Sequence, residues 1–380
     1  MLTTALVEQR RKIGGFRAFV GGSFAGTVDP AFADDISYIS YIGMGRNAAL
    51  AKTGRLDILP CSYSRIADSL TAPDLVLVQA AEGPDGIIRY ALACEYLPAL
   101  AARAKAVVAE VNAEAPWSPG APPIDTTQLA AVMRTSREVL QAPATLPDRS
   151  IARIAEIVAG LVEDRSTLQI GVGALPEAAL KALSSHSDLG IHSGAIGDGV
   201  ARLIEAGVVN NSRKKQDAGV TIAGIFFGGA ALNRVAHGNH TIRLAPTSYT
   251  HHAPAIAAID RFVSLNSAVE VDLYGSVNSE VANGAYVGGV GGGGEFARAA
   301  AQSRGGFSII ALTATAAGGK ISRIVSRLSG PTTISRSDAG VVVTEFGAAD
   351  LRGKTLSQRR KMMLDIAHPD FRAELEASAT

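Results

Sequence analysis

Short runs of β-branched residues alternate with alanine-rich helical patterns along almost the whole chain. Residues 74–79 have the pattern of a buried strand, residues 86–103 that of a helix, and residues 106–112 that of a second strand. A helical pattern at 150–162 and a strand pattern at 167–170 open a second series of the same kind. Alternating strands and helices build βαβ units, so this rhythm predicts the α/β fold class.

The length of 380 residues exceeds what one core of ordinary size holds. We predict two domains, an N-terminal α/β domain over residues 1–160 and a C-terminal α/β domain over residues 161–380.

Composition excludes several classes of protein. Apolar residues make up 47% of the chain and charged residues 19%, which is typical of a folded globular protein. The net charge of +1 gives no long-range field for nucleic acid or an anionic membrane, so we expect neither partner. Cys61 and Cys94 lack metal or redox spacing, and the first 20 residues lack the order of a signal peptide. We therefore expect a cytoplasmic protein.

Glycines cluster in turns after apolar runs, where a ligand can approach backbone N–H groups. Residues 171–176, Gly-Val-Gly-Ala-Leu-Pro, lead from the strand at 167–170 into a helix predicted over 177–183. This arrangement fits an anion site at a helix start, and the plainer alternative is a tight strand-to-helix turn. Pro176 stands where the dinucleotide fingerprint has its third glycine, which disfavours a nicotinamide site.

A second glycine-rich turn covers residues 287–294 and contains six glycines in eight residues. It leads directly into a helix predicted over 295–302. Because this composition costs conformational entropy, it favours a turn that approaches a thioester oxygen or a phosphate over a mobile linker.

Two carboxylates alternate along the strand predicted over residues 261–273. Period-two alternation places Glu270 and Asp272 on one face. A solvated sheet face is the commoner arrangement for such a strand, and the glycine-rich turn downstream shifts the balance towards a site.

Residues 341–354 repeat the pattern of strand, glycine turn and helix, with Gly347 in the turn. Ala348 stands where a phosphate loop requires glycine, which argues against a nucleoside triphosphate site. The sequence has no His-x-x-x-His and no Gly-x-Ser-x-Gly motif, so we predict neither a metal nor a serine nucleophile, and no permanently bound cofactor.

Taken in order, these segments resemble the acetyl-CoA hydrolase/transferase family, which contains 4-hydroxybutyrate CoA-transferase and acetate CoA-transferases. The resemblance runs from about residue 54 to the C-terminus and is most specific in the C-terminal half. It rests on residues 54–57, 110–112, 168–173, 189–193, 207–211, 266–273, 289–292, 322–325, 344–347, 351–354 and 367–372.

The resemblance implies a class I CoA-transferase with two similar open α/β domains, the active site between them, and a homodimeric assembly. Its substrates would be an acyl-CoA, with coenzyme A as the exchanged group, and a small carboxylate. Glu270 would be the nucleophile and Gly347 would supply oxyanion-side backbone. The implied coenzyme A contacts are Gly171, Gly173, Gly289, Gly291, Gly292 and Gly293, and the implied substrate-pocket residues are Gly22, His192 and Gly194.

The implied chemistry suits a carboxylate on an apolar strand, which loses hydration and becomes a better nucleophile. Attack on the thioester gives an acyl-glutamyl anhydride and coenzyme A thiolate, and the thiolate then forms a glutamyl-CoA thioester. Each step develops an oxyanion, so N–H donors from residues 291–293 or Gly347 are expected nearby.

The chain departs from the family pattern at two places. Members typically carry a glutamate after His192-Ser193, whereas this chain has Gly194, which predicts a roomier or less polar acyl pocket. The N-terminal unit is also abbreviated before Tyr41. Two alternatives stay open: an acyl-CoA hydrolase that uses the same glutamate, and a non-catalytic acyl-CoA-binding partner protein, against which the retained Glu270 and Asp272 argue.

The nucleophile assignment predicts that Glu270→Gln abolishes acyl exchange and preserves coenzyme A binding, because an amide cannot form the anhydride. Incubation of the parent protein with a reactive acyl-CoA, followed by borohydride, is expected to convert Glu270 to an alcohol that peptide mass detects. Full exchange activity in the variant would refute the assignment.

Overall fold

The computed structural model describes residues 1–143 and 147–378. The helices are α1 (Leu2–Glu8), α2 (Arg10–Ile13), α3 (Asn47–Lys52), α4 (Ile66–Ser69), α5 (Leu97–Ala101), α6 (Arg149–Leu161), α7 (Ala174–Ala182), α8 (Asp198–Glu205), α9 (Ala230–Ala236), α10 (Thr247–Thr250), α11 (Ala253–Ala257), α12 (Gly293–Gln302), α13 (Leu356–Ile366) and α14 (Pro369–Ala377). Strands of the first half are β1 (Phe16–Phe19), β2 (Ile36–Ser40), β3 (Leu56–Ile58), β4 (Leu75–Glu82), β5 (Ile88–Tyr90), β6 (Ala106–Asn112) and β7 (Leu129–Thr135). The first six strands of the second half are β8 (Thr167–Ile170), β9 (Gly190–Ile196), β10 (Thr221–Phe226), β11 (Ile242–Leu244), β12 (Phe262–Ser267) and β13 (Glu270–Asp272). The remaining strands are β14 (Val277–Asn278), β15 (Val281–Ala282), β16 (Ala285–Tyr286), β17 (Phe307–Ala311), β18 (Thr315–Ala316), β19 (Ile321–Ser322), β20 (Ile324–Val325), β21 (Val341–Thr344) and β22 (Gly347–Asp350).

The first half carries two small sheets. Strands β1, β2 and β3 form a parallel sheet, and the second sheet has the order β5-β4-β6-β7, with only β5 antiparallel to its neighbour. The predicted strand at 106–112 is confirmed as β6.

The second half is built on an eight-stranded sheet with the order β11-β10-β9-β8-β12-β17-β21-β22. All pairs are parallel except the one between β21 and the edge strand β22. Every residue of β8 and β21 is buried, as expected for parallel strands covered on both faces. The α/β fold class is therefore confirmed.

The strand order reverses between β8 and β12, which are neighbours in the sheet although three strands, β9 to β11, lie between them in the chain. Such a switch point leaves a crevice beyond the carboxyl ends of the two strands, and ligands of open α/β sheets bind there. The turn after β8 begins at Gly171, and the segment after β12 begins at Ala268.

Three predictions of local structure are wrong. The helix predicted over 86–103 is replaced by β5 and the short α5, because the backbone turns through left-handed conformations at Leu92 (φ 64°) and Glu95 (φ 44°). The turn that contains Gly347 leads into the antiparallel strand β22, and the helix after it starts only at Leu356, behind a capping box of Thr355 and Gln358.

The strand predicted over 261–273 is divided into β12 and β13, which belong to different sheets. At the break, the Arg323 guanidinium donates hydrogen bonds to the carbonyl oxygens of Ala268 and Val269. These carbonyls point to a side chain rather than to a neighbouring strand, so the ladder of β12 ends there.

One hydrophobic core extends across both halves, with Val78 and Val107 in the same buried cluster as Ile191 and Val343. The division at residues 160 and 161 therefore stays a proposal. Within the two described ranges, no helix has the length and apolar character needed to cross a membrane.

The close packing of the second glycine-rich turn predicts that Gly289→Ala destabilises the fold. A Cβ atom added at Gly289 would lie 2.0 Å from the carbonyl oxygen of Tyr41, so the backbone must shift, at a cost of roughly 1–3 kcal/mol. Gly26→Ala is the matched control, because a Cβ atom there meets no atom within 4 Å. Urea denaturation measures both, and equal stability of the two variants would contradict the prediction.

Candidate functional site

A cavity of about 710 Å³ lies at the switch point of the large sheet. Its wall includes residues 169–172 at the carboxyl end of β8 and residues 266–269 at the carboxyl end of β12. Residues 20–23 and Tyr41 contribute from the first half of the chain. This volume lies within the range of small-molecule sites, and both halves of the protein enclose it.

Seven of the eleven predicted site residues line this cavity. They are Gly22, Gly171, Gly194, Gly289, Gly291, Gly292 and Gly293. The other four, Gly173, His192, Glu270 and Gly347, lie outside the lining.

The turn at residues 289–293 brings backbone rather than side chains to the cavity. A Cβ atom at Gly292 would lie 2.4 Å from Nε2 of His251, so only glycine fits there without a shift of the ring. The turn ends in α12, and the first N–H groups of a helix have no partner within the helix. The cavity therefore has backbone donors that can face a developing oxyanion.

Glu270 directly follows the cavity-lining segment 266–269, but its carboxylate is bound within the protein. Its Oε1 accepts hydrogen bonds from Asn278 Nδ2 at 2.9 Å and from the Ser329 backbone N–H at 2.6 Å. The Ser329 hydroxyl at 2.9 Å and the Gly330 N–H at 3.2 Å donate to the same oxygen. The side chain is buried, and these contacts join β13 to the loop at 329–330.

The remaining three predicted residues lie outside the cavity lining and have contacts of a structural kind. His192 is buried with Nε2 at 3.1 Å from the carbonyl oxygen of Thr250, and burial lowers its pKa to about 4, so the ring is neutral. Gly173 is the N-cap of α7. Gly347 opens β22, where an added Cβ would meet Ile366 at 3.6 Å.

Glu95 is a cavity residue that sequence analysis missed. Among the described residues that line the cavity it is the only one with a carboxylate, and it is 5% exposed. The Tyr63 hydroxyl donates a hydrogen bond to its Oε1. Burial raises the pKa of Glu95 to about 7, an effect that the Tyr63 hydrogen bond partly offsets.

An aromatic cluster surrounds this carboxylate. The rings of Tyr63 and His251 are stacked with centroids 4.9 Å apart, and the hydroxyls of Tyr41 and Tyr63 are 3.4 Å apart. Burial lowers the pKa of His251 to about 3, so this ring is also neutral. Tyr96 completes the cluster. Glu95 thus has hydroxyl neighbours and no cationic side chain among the described cavity-lining residues.

Among the residues described, there is no group of three or more His, Cys, Asp or Glu side chains placed to hold a metal ion.

Comparisons with known proteins give consistent matches. A family model described as the acetyl-CoA hydrolase/transferase C-terminal domain matches residues 228–379. The 4-hydroxybutyrate coenzyme A transferase of Clostridium kluyveri is 38% identical over 332 residues, which are 85% of this chain and 77% of that protein. The succinyl-CoA:cyclohexane-1-carboxylate CoA transferase of Geobacter metallireducens is 37% identical over 77% of this chain and 68% of its own length.

Solved structures agree in overall fold. RipA from Yersinia pestis superposes with a TM-score of 0.91 at 29% identity, covering 100% of this chain and 90% of that chain. The 4-hydroxybutyrate CoA-transferase of Porphyromonas gingivalis gives a TM-score of 0.79 at 30% identity, covering 99% of this chain and 95% of that chain.

The buried carboxylate predicts a stability that depends on pH. Because the pKa of Glu95 is higher in the folded state than its ordinary value of 4.5, the folded state binds the proton more tightly, and the free energy of unfolding falls as pH rises from 4.5 to 7. Glu95→Gln removes the cost of burying the charged carboxylate. The variant is therefore expected to be more stable than the parent by roughly 3 kcal/mol at pH 8 and nearly equal in stability at pH 4.5.

Denaturation at the two pH values measures this effect, with Glu8→Gln on the exposed surface of α1 as the control. If Glu95→Gln raises the free energy of unfolding by the same amount at both pH values, the result would contradict the burial of a charge at position 95.

Proposed function

Because the chain belongs to the acetyl-CoA hydrolase/transferase family and is a CoA-transferase, we propose that it works through a covalent glutamyl intermediate in a ping-pong reaction. An acyl-CoA donates coenzyme A to the glutamate, and a carboxylic acid then takes it. The observation that carries this proposal is the cavity at the switch point, where a glycine backbone turn and a buried carboxylate line one space.

The glycine turn supports the electrostatic part of this route. Each attack on a carbonyl carbon creates an oxyanion, and N–H donors fixed in a dry site stabilise it more than water does. Residues 291–293 line the cavity at the start of α12, which is the location that the route requires.

Which glutamate carries the covalent intermediate needs a separate test. Glu270 stays the prediction of the family resemblance, and its burial beside the cavity wall at Val269 is compatible with that role. Its Oε1 accepts hydrogen bonds from Asn278, Ser329 and Gly330, which fix the orientation of the carboxylate. The residue that carries the alcohol after borohydride treatment therefore tests that assignment.

The cavity lining favours an uncharged acyl group. Among its described residues there is no Lys or Arg to pair with a second carboxylate, and Glu95 would repel one. Coenzyme A as the exchanged substrate and a homodimer accompany the proposal as predictions of the family resemblance, and a cytoplasmic location stays the prediction made from the cysteines and the first 20 residues.

We expect butyryl-CoA and 4-hydroxybutyryl-CoA to be better donors than succinyl-CoA by about tenfold or more in kcat/KM, which corresponds to about 1.4 kcal/mol. The three acyl groups have four carbons each and differ only at the far end, so they isolate the effect of charge. Assays with acetate as the acceptor follow formation of acetyl-CoA by chromatography.

Release of free thiol at the same rate without acetate would identify a hydrolase instead. Succinyl-CoA as the best donor would contradict the argument from charge, and no turnover with any acyl-CoA and carboxylate pair would contradict the proposed function.

A further inference from the structure

Glu95 reaches the cavity because the first half of the chain is joined to the end of β10. The Cys94 N–H donates to the Gly224 carbonyl oxygen at 2.9 Å, and the Phe226 N–H donates to the Leu92 carbonyl oxygen at 2.7 Å. The Thr247 N–H donates to the carbonyl oxygen of Glu95 itself at 2.9 Å. These bonds hold Glu95 in its left-handed conformation, which costs a non-glycine residue about 1 kcal/mol or more.

Gly224 leaves space for this side chain. A Cβ atom at Gly224 would lie 3.4 Å from Cγ of Glu95 and 2.8 Å from the carbonyl oxygen of Gly194. Glu95 therefore lies beside β10, and it lines the same cavity as Gly194. A Cβ atom added at Gly194 would lie 3.0 Å from Cε1 of His251.

Tyr63 links this carboxylate to the glycine turn. Its hydroxyl donates to Oε1 of Glu95, and its backbone N–H donates to the Gly291 carbonyl oxygen at 3.1 Å. The next residue, Ser64, hydrogen-bonds Glu295 in the first turn of α12 through its hydroxyl and its N–H. One short segment thus fixes the carboxylate and the backbone donors relative to each other.

We propose that Glu95 is the nucleophile that carries the covalent intermediate, an inference that rests on the proposed function. Glu95 lines the cavity with one hydrogen bond to its carboxylate from Tyr63, whereas Glu270 lies outside the lining and its Oε1 accepts from Asn278, Ser329 and Gly330. The hydrogen bond from Tyr63 occupies Oε1, so Oε2 is the attacking atom.

The steps balance without any further reactant. Oε2 of Glu95 attacks the thioester carbonyl carbon, the carbon–sulfur bond breaks, and sulfur leaves with the electron pair as coenzyme A thiolate. The thiolate attacks Cδ of Glu95 in the anhydride, which releases the acyl group as a carboxylate and leaves a glutamyl-CoA thioester. The acceptor carboxylate attacks Cδ and expels the thiolate, and the thiolate then attacks the acceptor's carbonyl carbon and frees the Glu95 carboxylate.

Burial supports this role because a poorly hydrated carboxylate with a raised pKa is a stronger nucleophile than an ordinary one. The attacking form is the carboxylate, so the rate of the first half-reaction is expected to rise with pH, with a midpoint near 7. Tyr63→Phe removes the hydrogen bond that lowers this pKa, so the midpoint should move upward in that variant.

The decisive experiment uses the unmodified protein with butyryl-CoA. Borodeuteride reduces the glutamyl-CoA thioester to a deuterium-labelled alcohol, and peptide mass spectrometry locates the label. We expect the label at Glu95. A label at Glu270 or at any other residue, with Glu95 unlabelled, overturns the inference.

Substitutions give an independent test. Glu95→Gln is expected to lower exchange by about 10³-fold or more, with coenzyme A affinity unchanged within about threefold. Glu280→Gln is the control, because Glu280 is a buried glutamate outside the cavity lining, and its Oε1 accepts from the Thr333 hydroxyl as an amide oxygen also can. That variant is expected to retain exchange within about twofold.

The outcomes separate the two proposals. If the parent protein exchanges coenzyme A and Glu95→Gln does so equally well, the assignment of Glu95 is wrong and the proposed function stands. If the parent protein shows no exchange with any donor, the proposed function itself is wrong. Should Glu95→Gln fail to fold, which circular dichroism reports, the label in the unmodified protein still decides.

Discussion

The backbone hydrogen bonds between residues 92–95 and the end of β10 are the contacts on which the site depends. They extend β10 beyond its pairing with β11 and fasten a segment of the first half to the carboxyl edge of the large sheet. Without this connection the switch point between β8 and β12 would be an open crevice of glycine turns. With it, the crevice becomes a cavity that contains a buried carboxylate.

The glycine turn at 287–294 has a second consequence, because it lets two backbones approach each other closely. Gly289 packs against the carbonyl oxygen of Tyr41, and Gly292 packs against the ring of His251. A side chain at Gly289 would push the turn away from the first half, and one at Gly292 would displace the His251 ring. The same absence of side chains lets a ligand approach the backbone N–H groups of the turn, so packing and anion stabilisation share one structural cause.

The cavity also concentrates interactions that are unfavourable for folding. Glu95 combines a buried carboxylate, a raised pKa and a left-handed backbone, and each of these costs free energy that the surrounding contacts must offset. Glu270 is buried too, yet four hydrogen bonds to one oxygen stabilise its charge. A carboxylate held in that way contributes to structure, whereas one with fewer fixed partners retains reactivity.

The amino-acid sequence by itself determined the α/β class, the strand at 106–112, and the glycine turns after β8 and before α12. These features depend on local patterns: apolar periodicity and runs of glycine act over a few residues and can be read without knowing what packs against them. The family likewise follows from the order of such segments.

Only the tertiary structure decided which carboxylate meets the cavity. The strand predicted over 261–273 divides because Arg323, far along the chain, binds the carbonyls at its break, and the loop at 329–330 then binds Glu270. Glu95 lies in a segment whose composition resembles a helix, and its left-handed turn exists only because β10 and α10 supply hydrogen bonds to it. Contacts between residues distant in sequence set the burial and the partners of both side chains, and no local pattern encodes them.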